Sequence, residues 1–440
     1  MQKSMEYKVS KFLFKVYKDN EICFFNSSTL KLLTGDKDDE SYIDNFTNSK
    51  EHLQDPRFKI LLDNGFLVEK SIDEEKNLRI NKKTRMERSR QNKNRIGYMR
   101  ISLTEKCNLK CKYCFVNTIY KNKVKNDMSE ENFIKYMKWF INQNKNYSPV
   151  VQYFGGEPLL KMNLIKIGHE LLKQAKEENI IRGFTEEIVT NGTLINDENA
   201  DYFIKSKIDI CVSIDGWKEL NDKNRVFPNN TGSFDAVMKG INTYKRYGGQ
   251  FKAIITPTYE NLEFFDKIVE YLIKDLECTE ISVNTPQPNE KGWEIDGNKM
   301  ADAIKRAWEI CDKMKIPFNA PGANIVFLVN NEMPQSFSCM NLTYGQDSNA
   351  FGIYVNSNGI VSNCVVECRD ICSTEFEKFK MDDEYIDWHF LKEYKKGCTK
   401  CIAANICSGP CMIEHLICNG GFNVEKCKFY KSIVPWVLSK

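Results

Sequence analysis

Few features of this 440-residue sequence point to membranes, export or nucleic acid. No apolar run approaches the roughly 20 residues that a membrane-spanning helix needs. The first twenty residues carry charges throughout and lack the apolar core and cleavage site of a signal peptide. Lysine and arginine number 63 and aspartate and glutamate 60, so the net charge is only +3 and gives no reason to expect nucleic acid. We therefore expect a cytoplasmic protein without a membrane segment.

Histidine is scarce in this chain and cysteine is abundant, with 4 of the former and 17 of the latter. The aromatic content of 12% excludes a disordered chain, and 23 glycines with 12 prolines exclude a collagen-like one. A reducing compartment keeps thiols free, so clustered cysteines indicate metal or redox chemistry rather than disulfides. With so few histidines, thiolate-only ligation is favoured, and thiolates select zinc or iron–sulfur clusters.

Four segments differ in composition along the chain. Residues 1–78 contain one cysteine, Cys23, and patterns typical of a small winged-helix-like module. Residues 79–96 are basic and lack apolar periodicity, which predicts a solvated linker, or alternatively a surface for an acidic peptide or nucleic acid. Residues 97–330 alternate strand and helix patterns, and residues 331–440 hold ten clustered cysteines with few periodic stretches.

In the first segment, local patterns predict strands at Tyr7–Tyr17 and Glu21–Phe25 and a capped helix at Ser27–Leu33. A further helix ends at Gly65 and a strand follows it. In the last segment, Asn356 to Gly359 form a turn signal between two short apolar runs, which predicts a hairpin.

The third segment repeats a strand–helix unit six times. The predicted strands are Gly97–Leu103, Pro149–Phe154, Glu186–Thr190, Ile208–Ile214, Phe251–Thr256 and Glu280–Asn284. The predicted helices are Ser129–Gln143, Asn163–Glu178, Asp197–Ser206, Ser233–Tyr247, Tyr259–Lys274 and Gly297–Met314. Alternating units imply an α/β fold with a parallel sheet and right-handed crossovers. Periodicity alone leaves both a doubly wound sheet and a partial barrel open.

Three cysteines follow the first of these strands in one short loop. Cys107, Cys111 and Cys114 have the spacing Cys-x3-Cys-x2-Cys, which supplies three thiolates to a 4Fe–4S cube and leaves one iron without a protein ligand. An open metal position is typical of a catalytic site. Structural zinc, the alternative, would need a fourth ligand, and no nearby histidine supplies one.

This loop resembles that of the radical S-adenosylmethionine (radical SAM) superfamily, whose motif places an aromatic residue before the third cysteine, here Tyr113. Three further motifs match at successive strand ends: Gly155-Gly156-Glu157-Pro158, Thr190-Asn191-Gly192-Thr193 and Ser213-Ile214-Asp215-Gly216. In α/β folds, sites lie at these carboxyl ends of the strands. The resemblance implies a partial (β/α)6 TIM-like barrel.

The resemblance also implies roles for the site residues. Cys107, Cys111 and Cys114 would hold the catalytic cluster, and S-adenosylmethionine would chelate its open iron and yield a 5′-deoxyadenosyl radical. The residues expected to contact S-adenosylmethionine are Tyr113 at the adenine, Gly155, Gly156 and Glu157 at the methionyl ammonium, Asn191, and Ser213 and Asp215 at the ribose or carboxylate. For Ser213 and Asp215, an ordinary strand-to-helix turn is the alternative interpretation.

A second cysteine constellation resembles the SPASM extension of radical SAM enzymes, which carries two auxiliary 4Fe–4S clusters. The resemblance assigns Cys398, Cys401, Cys407 and Cys427 to one cluster and Cys339, Cys364 and Cys411 to the other. The second set is one ligand short, so Cys368 or Cys372 completes it or the position stays open. A zinc ribbon, the alternative, would need two Cys-x2-Cys knuckles that the sequence lacks.

The SPASM resemblance implies a peptide or protein substrate. Maturases of ribosomally made peptides commonly carry an amino-terminal winged-helix-like domain that binds a leader peptide as an added strand, and residues 1–78 fit this description. Thioether formation at a substrate cysteine is the expected chemistry, with flavodoxin or ferredoxin as the low-potential electron donor. The alternatives are an anaerobic sulfatase-type formylglycine maturase and a non-enzymatic iron–sulfur electron carrier or peptide-binding module.

Overall fold

The computed structural model describes residues 5–331, 351–362 and 398–440, with gaps at 20, 79, 82–83, 85–95, 115, 117–124, 286–287, 290–291, 399, 408–417 and 419–420. Sixteen strands lie in the described residues: β1 Tyr7–Val9, β2 Leu13–Lys18, β3 Glu21–Asn26, β4 Leu32–Gly35, β5 Leu67–Glu69, β6 Ile96–Ser102, β7 Val150–Phe154, β8 Thr185–Thr190, β9 Asp209–Ser213, β10 Phe251–Ile255, β11 Glu280–Val283, β12 Pro288–Asn289, β13 Gly292–Trp293, β14 Phe318–Asn319, β15 Phe351–Val355 and β16 Val361–Ser362.

The α-helices of the described residues include α1 Lys37–Asp44, α2 Lys50–Gln54, α3 Pro56–Asp63, α4 Glu130–Gln143, α5 Met162–Glu177, α6 Asp197–Ser206, α7 Lys218–Asn224, α8 Phe234–Arg246, α9 Phe265–Lys274, α10 Gly297–Met314, α11 Ile325–Asn330, α12 Ala404–Cys407 and α13 Val424–Leu438. Short 3₁₀ turns lie at Pro158–Lys161 and Leu262–Phe264.

The main sheet has nine strands in the order β14-β11-β10-β9-β8-β7-β6-β15-β16. Strands β6 to β11 lie side by side in chain order and every neighbouring pair among them is parallel. A doubly wound sheet would reverse its strand order part-way, whereas this order runs in one direction as a partial barrel requires. The predicted partial (β/α)6 barrel is confirmed, together with all six of its predicted strands.

Three barrel helices, α4, α6 and α10, begin after a residue whose side chain accepts N–H groups of the first turn. Helix α6 has a capping box in which the side chains of Asn196 and Asn199 each accept the other's backbone N–H. Helix α10 begins after Asp296, whose carboxylate accepts two backbone N–H groups, and ends at Lys315 in the left-handed region. The predicted helix at Tyr259–Lys274 begins later, because a 3₁₀ turn precedes α9.

The amino-terminal segment contains a three-stranded antiparallel sheet in the order β2-β3-β4, followed by three helices. The predicted strand Tyr7–Tyr17 is divided into β1 and β2 by a turn, and β1 pairs instead with β5. The predicted helix at Ser27–Leu33 is wrong. The Asn26 side chain accepts the backbone N–H groups of Ser28 and Thr29, and Leu30 has a φ of 64°. These bonds close a hairpin turn and leave Leu32 to start β4.

Both faces of this small sheet are covered. Val16, Cys23 and Phe25 point into the main core of the barrel. Phe24, on the opposite face, packs in a separate cluster with Tyr42 and Leu61 from the helices that follow the sheet. The amino-terminal sheet is therefore fixed on the body of the protein.

The carboxyl-terminal segment extends the barrel sheet. Strand β15 pairs in parallel with β6, and β16 turns back against β15, so the predicted hairpin is confirmed. Helix α13 packs along α10. Most of the predicted basic linker lies outside the described residues, and the four segment boundaries remain predictions. Within the described part of the chain, no helix is long and apolar enough to cross a membrane.

Candidate functional site

The cysteine loop leaves the carboxyl end of β6 and is tied to the segment after α7. The backbone N–H groups of Lys110 and Lys112 donate to the carbonyl oxygens of Val226, at 2.7 Å, and Asn224, at 3.0 Å. Leu109 is buried, whereas the three cysteines of the loop are half-buried. The apolar anchor and the backbone bonds hold the loop, and the thiols face a partly open space.

Cys107 receives two weak hydrogen bonds at its sulfur. The backbone N–H of Leu109 donates to Sγ at 3.3 Å, and the Nδ2 of Asn191 donates at 3.7 Å. Asn191 also donates to the Oδ1 of Asn108 at 2.9 Å, so the end of β8 is linked to the loop. Burial raises the pKa of Cys107 to about 12 and that of Cys111 to about 11, so binding a metal cluster must release these protons.

The three thiols of the loop supply the donor set that a 4Fe–4S cluster uses. No group of three histidine, cysteine, aspartate or glutamate side chains among the described residues converges on one point as the ligands of one metal ion would. Cys107, Cys111 and Cys114 nevertheless lie close enough to influence each other's ionisation. A 4Fe–4S cube binds each thiolate at a different iron, so its ligands surround a volume. The donor set of three thiols on one loop, with N–H groups directed at a sulfur, fits such a cube.

Gly155 and Gly156 lie against the backbone at the start of the cysteine loop. The N–H of Gly156 donates to the carbonyl oxygen of Thr104 at 2.7 Å, and Gly155 has a φ of 145°. A Cβ at Gly155 would lie 2.2 Å from the Thr104 carbonyl oxygen, and one at Gly156 would lie 2.1 Å from that of Lys106. In this structure the two glycines therefore allow two strand ends to meet, and a contact with the methionyl ammonium remains a prediction.

Glu157 is fully buried behind this junction and is held by three donors. Its Oε1 accepts the Thr190 hydroxyl at 2.7 Å and the Leu159 N–H at 3.1 Å, and its Oε2 accepts the Asn191 N–H at 2.8 Å. Burial raises the pKa of Glu157 to about 7, and the hydrogen bonds oppose this shift. The carboxyl group thereby joins the ends of β7 and β8 beneath the cysteine loop.

Asp215 forms a buried ion pair with Arg225. The guanidinium donates through Nε to Oδ2 at 2.9 Å and through a terminal nitrogen to Oδ1 at 3.1 Å. The Tyr113 hydroxyl also donates to Oδ2, and the Thr256 N–H donates to Oδ1 at 2.9 Å. Burial works against the charge on Arg225, but Asp215 outweighs it and raises the pKa of Arg225. Both Asp215 oxygens are thus engaged by the protein, and a contact of Asp215 with S-adenosylmethionine remains a prediction.

Arg225 is the principal site residue that the sequence patterns did not identify. Its guanidinium carbon lies 5.5 Å from the centroid of the Tyr113 ring, and its positive charge lowers the ionisation cost of Cys111. No motif marks it, because a single arginine ten residues after Asp215 has no distinctive spacing. Ser213 ends β9 and is half-buried at the same edge of the sheet.

The second cysteine constellation is described in part. Cys398, Cys401, Cys407 and Cys427 are half-buried, and the Cys401 N–H donates to the Cys398 carbonyl oxygen at 3.1 Å. Cys407 ends α12 and Cys427 lies in the first turn of α13. The other assigned or candidate ligands lie outside the described residues: Cys339, Cys364, Cys368, Cys372 and Cys411. The grouping of these cysteines around two clusters remains a prediction.

Comparison with protein families matches residues 101–272 to the model described as the radical SAM superfamily. A relative similar over most of the chain is the radical SAM cyclopropyl synthase TigE of Paramaledivibacter caminithermalis, 26% identical over 83% of this chain and 85% of TigE. The serine-type anaerobic sulfatase-maturating enzyme of Bacteroides thetaiotaomicron is 32% identical over 39% of this chain. That match spans only 42% of the length of the Bacteroides protein.

Two solved structures share this architecture. The structure of anSMEcpe with bound AdoMet and a peptide has a TM-score of 0.62 at 20% identity and covers 76% of this chain and 95% of that one. Streptococcus suis SuiB bound to its precursor peptide SuiA has a TM-score of 0.52 at 17% identity. It covers 93% of this chain and 96% of SuiB, so the similarity includes most of the amino-terminal segment.

Proposed function

We propose that this chain, which contains a radical SAM domain, is an enzyme that oxidatively modifies a ribosomally made peptide. The observation that carries the proposal is the combination of the cysteine loop with an amino-terminal sheet fixed on the same body. Both solved relatives named above were crystallised with peptides, and the SuiB match extends over both parts. The peptide, its modified residue and the product are part of this proposal.

The residues described above have specific tasks in this proposal. Cys107, Cys111 and Cys114 hold a 4Fe–4S cluster at the carboxyl end of the barrel. When bound, the cluster and S-adenosylmethionine supply a 5′-deoxyadenosyl radical, and auxiliary clusters supply an electron acceptor. Asn191 orients the Cys107 sulfur, and the Asp215–Arg225 pair fixes Tyr113 at the side of the loop.

A leader segment of the substrate would bind at β4. Within the described residues β4 has one strand neighbour, β3, so its other edge is available for pairing. Leu32 on β4 is 38% exposed and Ile60 on α3 is 51% exposed. Lys31, the residue before β4, donates to the Asn64 side chain after α3 at 3.4 Å, so the start of β4 lies beside the end of α3. An extended peptide would gain backbone hydrogen bonds from β4 and apolar contacts from these two side chains.

The expected product is a thioether between a substrate cysteine and a carbon of another residue. One C–H and one S–H bond are replaced by a C–S bond. One hydrogen atom goes to the 5′-deoxyadenosyl radical, and the remaining proton and electron go to solvent and to an auxiliary cluster. A formylglycine maturase is the second candidate, because the Bacteroides relative is a sulfatase-maturating enzyme. Against it, Val365 stands where that family has an aspartate, and about 96 residues precede the first barrel strand.

Two measurements test the proposal on the full chain after anaerobic reconstitution with iron and sulfide. Formation of 5′-deoxyadenosine from S-adenosylmethionine and dithionite would exclude a mere electron carrier, and its absence would refute the proposed activity. Mass spectrometry of the precursor peptide encoded beside the gene then separates the products. A product two hydrogens lighter, with one cysteine no longer alkylated, supports a thioether. Loss of two hydrogens with every cysteine still reactive indicates a carbon–carbon bond, or formylglycine made from serine if the product also reacts with an aldehyde reagent. Loss of sulfur from a cysteine indicates formylglycine made from cysteine.

The leader site has its own test. Thr34 lies in the middle of β4, and a proline there would remove a backbone N–H and disturb strand pairing at the free edge. A Thr34→Pro variant should bind the precursor peptide at least about tenfold more weakly, since strand addition depends on backbone hydrogen bonds. Tyr147→Ala, at an exposed residue after α4, is the matched surface control. Equal peptide affinity in Thr34→Pro and wild type would contradict the proposed leader site.

A further inference from the structure

A buried carboxylate lies two residues before the first cysteine of the catalytic loop. Glu105 is 1% exposed, and its Oε2 accepts the backbone N–H of Asn126 at 3.0 Å. Its Oε1 accepts the hydroxyl of Ser357 at 2.6 Å. Ser357 is 3% exposed and belongs to the turn between β15 and β16, which is 252 positions later in the chain.

The turn that carries Ser357 is held in one position. The Asn356 side chain accepts the N–H groups of Asn358 and Ile360, at 3.0 and 2.9 Å. Gly359 has a φ of 81°, and a Cβ there would lie 1.6 Å from the Tyr136 hydroxyl of α4. Strand β15 is also fixed in register against β6, the strand that leads into the cysteine loop. The Ser357 hydroxyl is therefore placed by groups other than its own bond to Glu105.

We propose that Glu105 and Ser357 are positioning residues through which the carboxyl-terminal hairpin, residues 351–362, holds the cysteine loop in its working geometry. A buried carboxylate that loses a donor suffers a larger penalty than the mean value of a hydrogen bond, so the loop favours the conformation in which the hairpin is docked. Asn126 provides the second bond, and its side chain also donates to the Oδ1 of Asn358 at 2.7 Å. Both sides of Glu105 are thus connected to the same turn.

The contact links the two halves of the predicted redox system. Ser357 stands seven residues before Cys364, which the SPASM resemblance assigns to an auxiliary cluster. Glu105 stands two residues before Cys107. Placement of the carboxyl-terminal arm is then required for the catalytic loop itself, in addition to any role in receiving electrons. This inference extends the proposed function. Only its activity measurement, the rate of 5′-deoxyadenosine formation, depends on that function being correct.

The test compares three full-length variants. Ser357→Ala removes the hydroxyl, and Ser357→Thr retains it. Ser10→Ala is the matched control, because Ser10 is 4% exposed and also donates its hydroxyl to a glutamate, Glu74, at 2.5 Å, in the amino-terminal segment. The first readout is hydrogen exchange of the backbone amides of residues 103–110, measured by mass spectrometry. The second is the rate of 5′-deoxyadenosine formation at saturating S-adenosylmethionine without peptide.

We expect Ser357→Ala to accelerate exchange in residues 103–110 by about tenfold or more and to lower the rate by a similar factor. Ser357→Thr should restore most of both, and Ser10→Ala should change neither. Unchanged exchange in Ser357→Ala would overturn the proposal whatever the activity shows. Absence of 5′-deoxyadenosine in the wild type would instead refute the proposed function and leave the exchange result standing.

A double-mutant comparison of unfolding free energies covers the case in which Ser357→Ala destabilises the whole chain rather than the cysteine loop alone. If the contact is the cause, adding Ser357→Ala to a Glu105→Ala variant should produce little further loss of stability, because the partner is already absent. Additive losses in the double variant would show that Ser357 acts through other contacts and would overturn the proposal.

Discussion

Replacing Asp215 by asparagine tests whether the ion pair under the cysteine loop is as strongly buried as the structure indicates. The Asp215 side chain is 1% exposed and that of Arg225 is 7% exposed, and the two are joined by two hydrogen bonds. Removing one member leaves a guanidinium buried without its counter-charge, which typically costs about 3–5 kcal/mol. That is a large fraction of the roughly 5–15 kcal/mol that stabilises a typical domain.

The assay is urea denaturation of the full chain without cluster, so that metal binding does not contribute to the measured stability. Asp201→Asn is the control, because Asp201 and Lys205 form an ion pair of 2.6 Å whose side chains are 42% and 73% exposed. An exposed pair of this kind contributes about 0–1 kcal/mol. Asp215→Asn should therefore lower the free energy of unfolding several-fold more than Asp201→Asn does.

A second variant distinguishes the cost of an unpaired buried charge from the cost of altered side-chain packing. Asp215→Asn combined with Arg225→Met removes both charges, and replacement of a buried pair by apolar groups is often nearly neutral. The double variant should regain much of the stability that Asp215→Asn loses. If Asp215→Asn costs no more than the exposed control, the pair is accessible to water and the reasoning about its burial is refuted.

Three further predictions follow from the site. Burial raises the pKa of Glu157 from 4.5 to about 7. Between pH 4.5 and pH 7, Glu157 is therefore protonated in the native state and ionised in the unfolded state. Stability should therefore fall as pH rises from 5 to 8, by up to about 3 kcal/mol relative to Glu157→Gln in urea titrations, and parallel pH profiles would contradict this. Gly156→Ala should destabilise the cysteine loop by about 1–3 kcal/mol and lower 5′-deoxyadenosine formation, because the added Cβ would collide with backbone atoms. Gly183→Ala is the control and should have little effect, because a Cβ there would contact only the Ser148 hydroxyl, at 3.4 Å. Iron content should approach about twelve per chain, as three 4Fe–4S clusters require, and saturation near eight irons would argue against one auxiliary cluster. Cys111→Ala should abolish 5′-deoxyadenosine formation. Cys401→Ala should retain some 5′-deoxyadenosine formation but yield no modified peptide.

Local sequence patterns predicted strands and helices best where burial or capping acts on residues that are neighbours in the chain. Each barrel strand is a short, largely buried run, with strict alternation only in β8, β10 and β11. Each helix has a capping residue or an amphipathic period, so the strands and helices follow from neighbours in the chain. The turn at Asn26 shows where this reasoning fails. Ser27-Ser28-Thr29 resembles a helix cap, but the Asn26 side chain and the pairing of Leu32 with Phe25 favour a hairpin. The hairpin is favoured over the helix because β4 pairs with β3, whose Phe25 packs in the barrel core.

The cysteine spacing of the loop and the polar residues at successive strand ends are properties of the sequence, because ligands on one short loop need no distant partner to come together. The contacts that support the cysteine loop and these strand-end residues could be seen only in the tertiary structure. Gly155 and Gly156 meet the backbone of residues 104–106, and Asp215 is engaged by Arg225 and Tyr113. Ser357 reaches Glu105 across 252 positions. Contacts between residues so far apart depend on which strands become neighbours, and side-chain burial is set by everything packed around them. The sequence by itself therefore determined the succession of strand–helix units and, through its resemblance to a known family, the kind of chemistry to expect. Only the fold decided the spatial order of the strands and which groups orient the site.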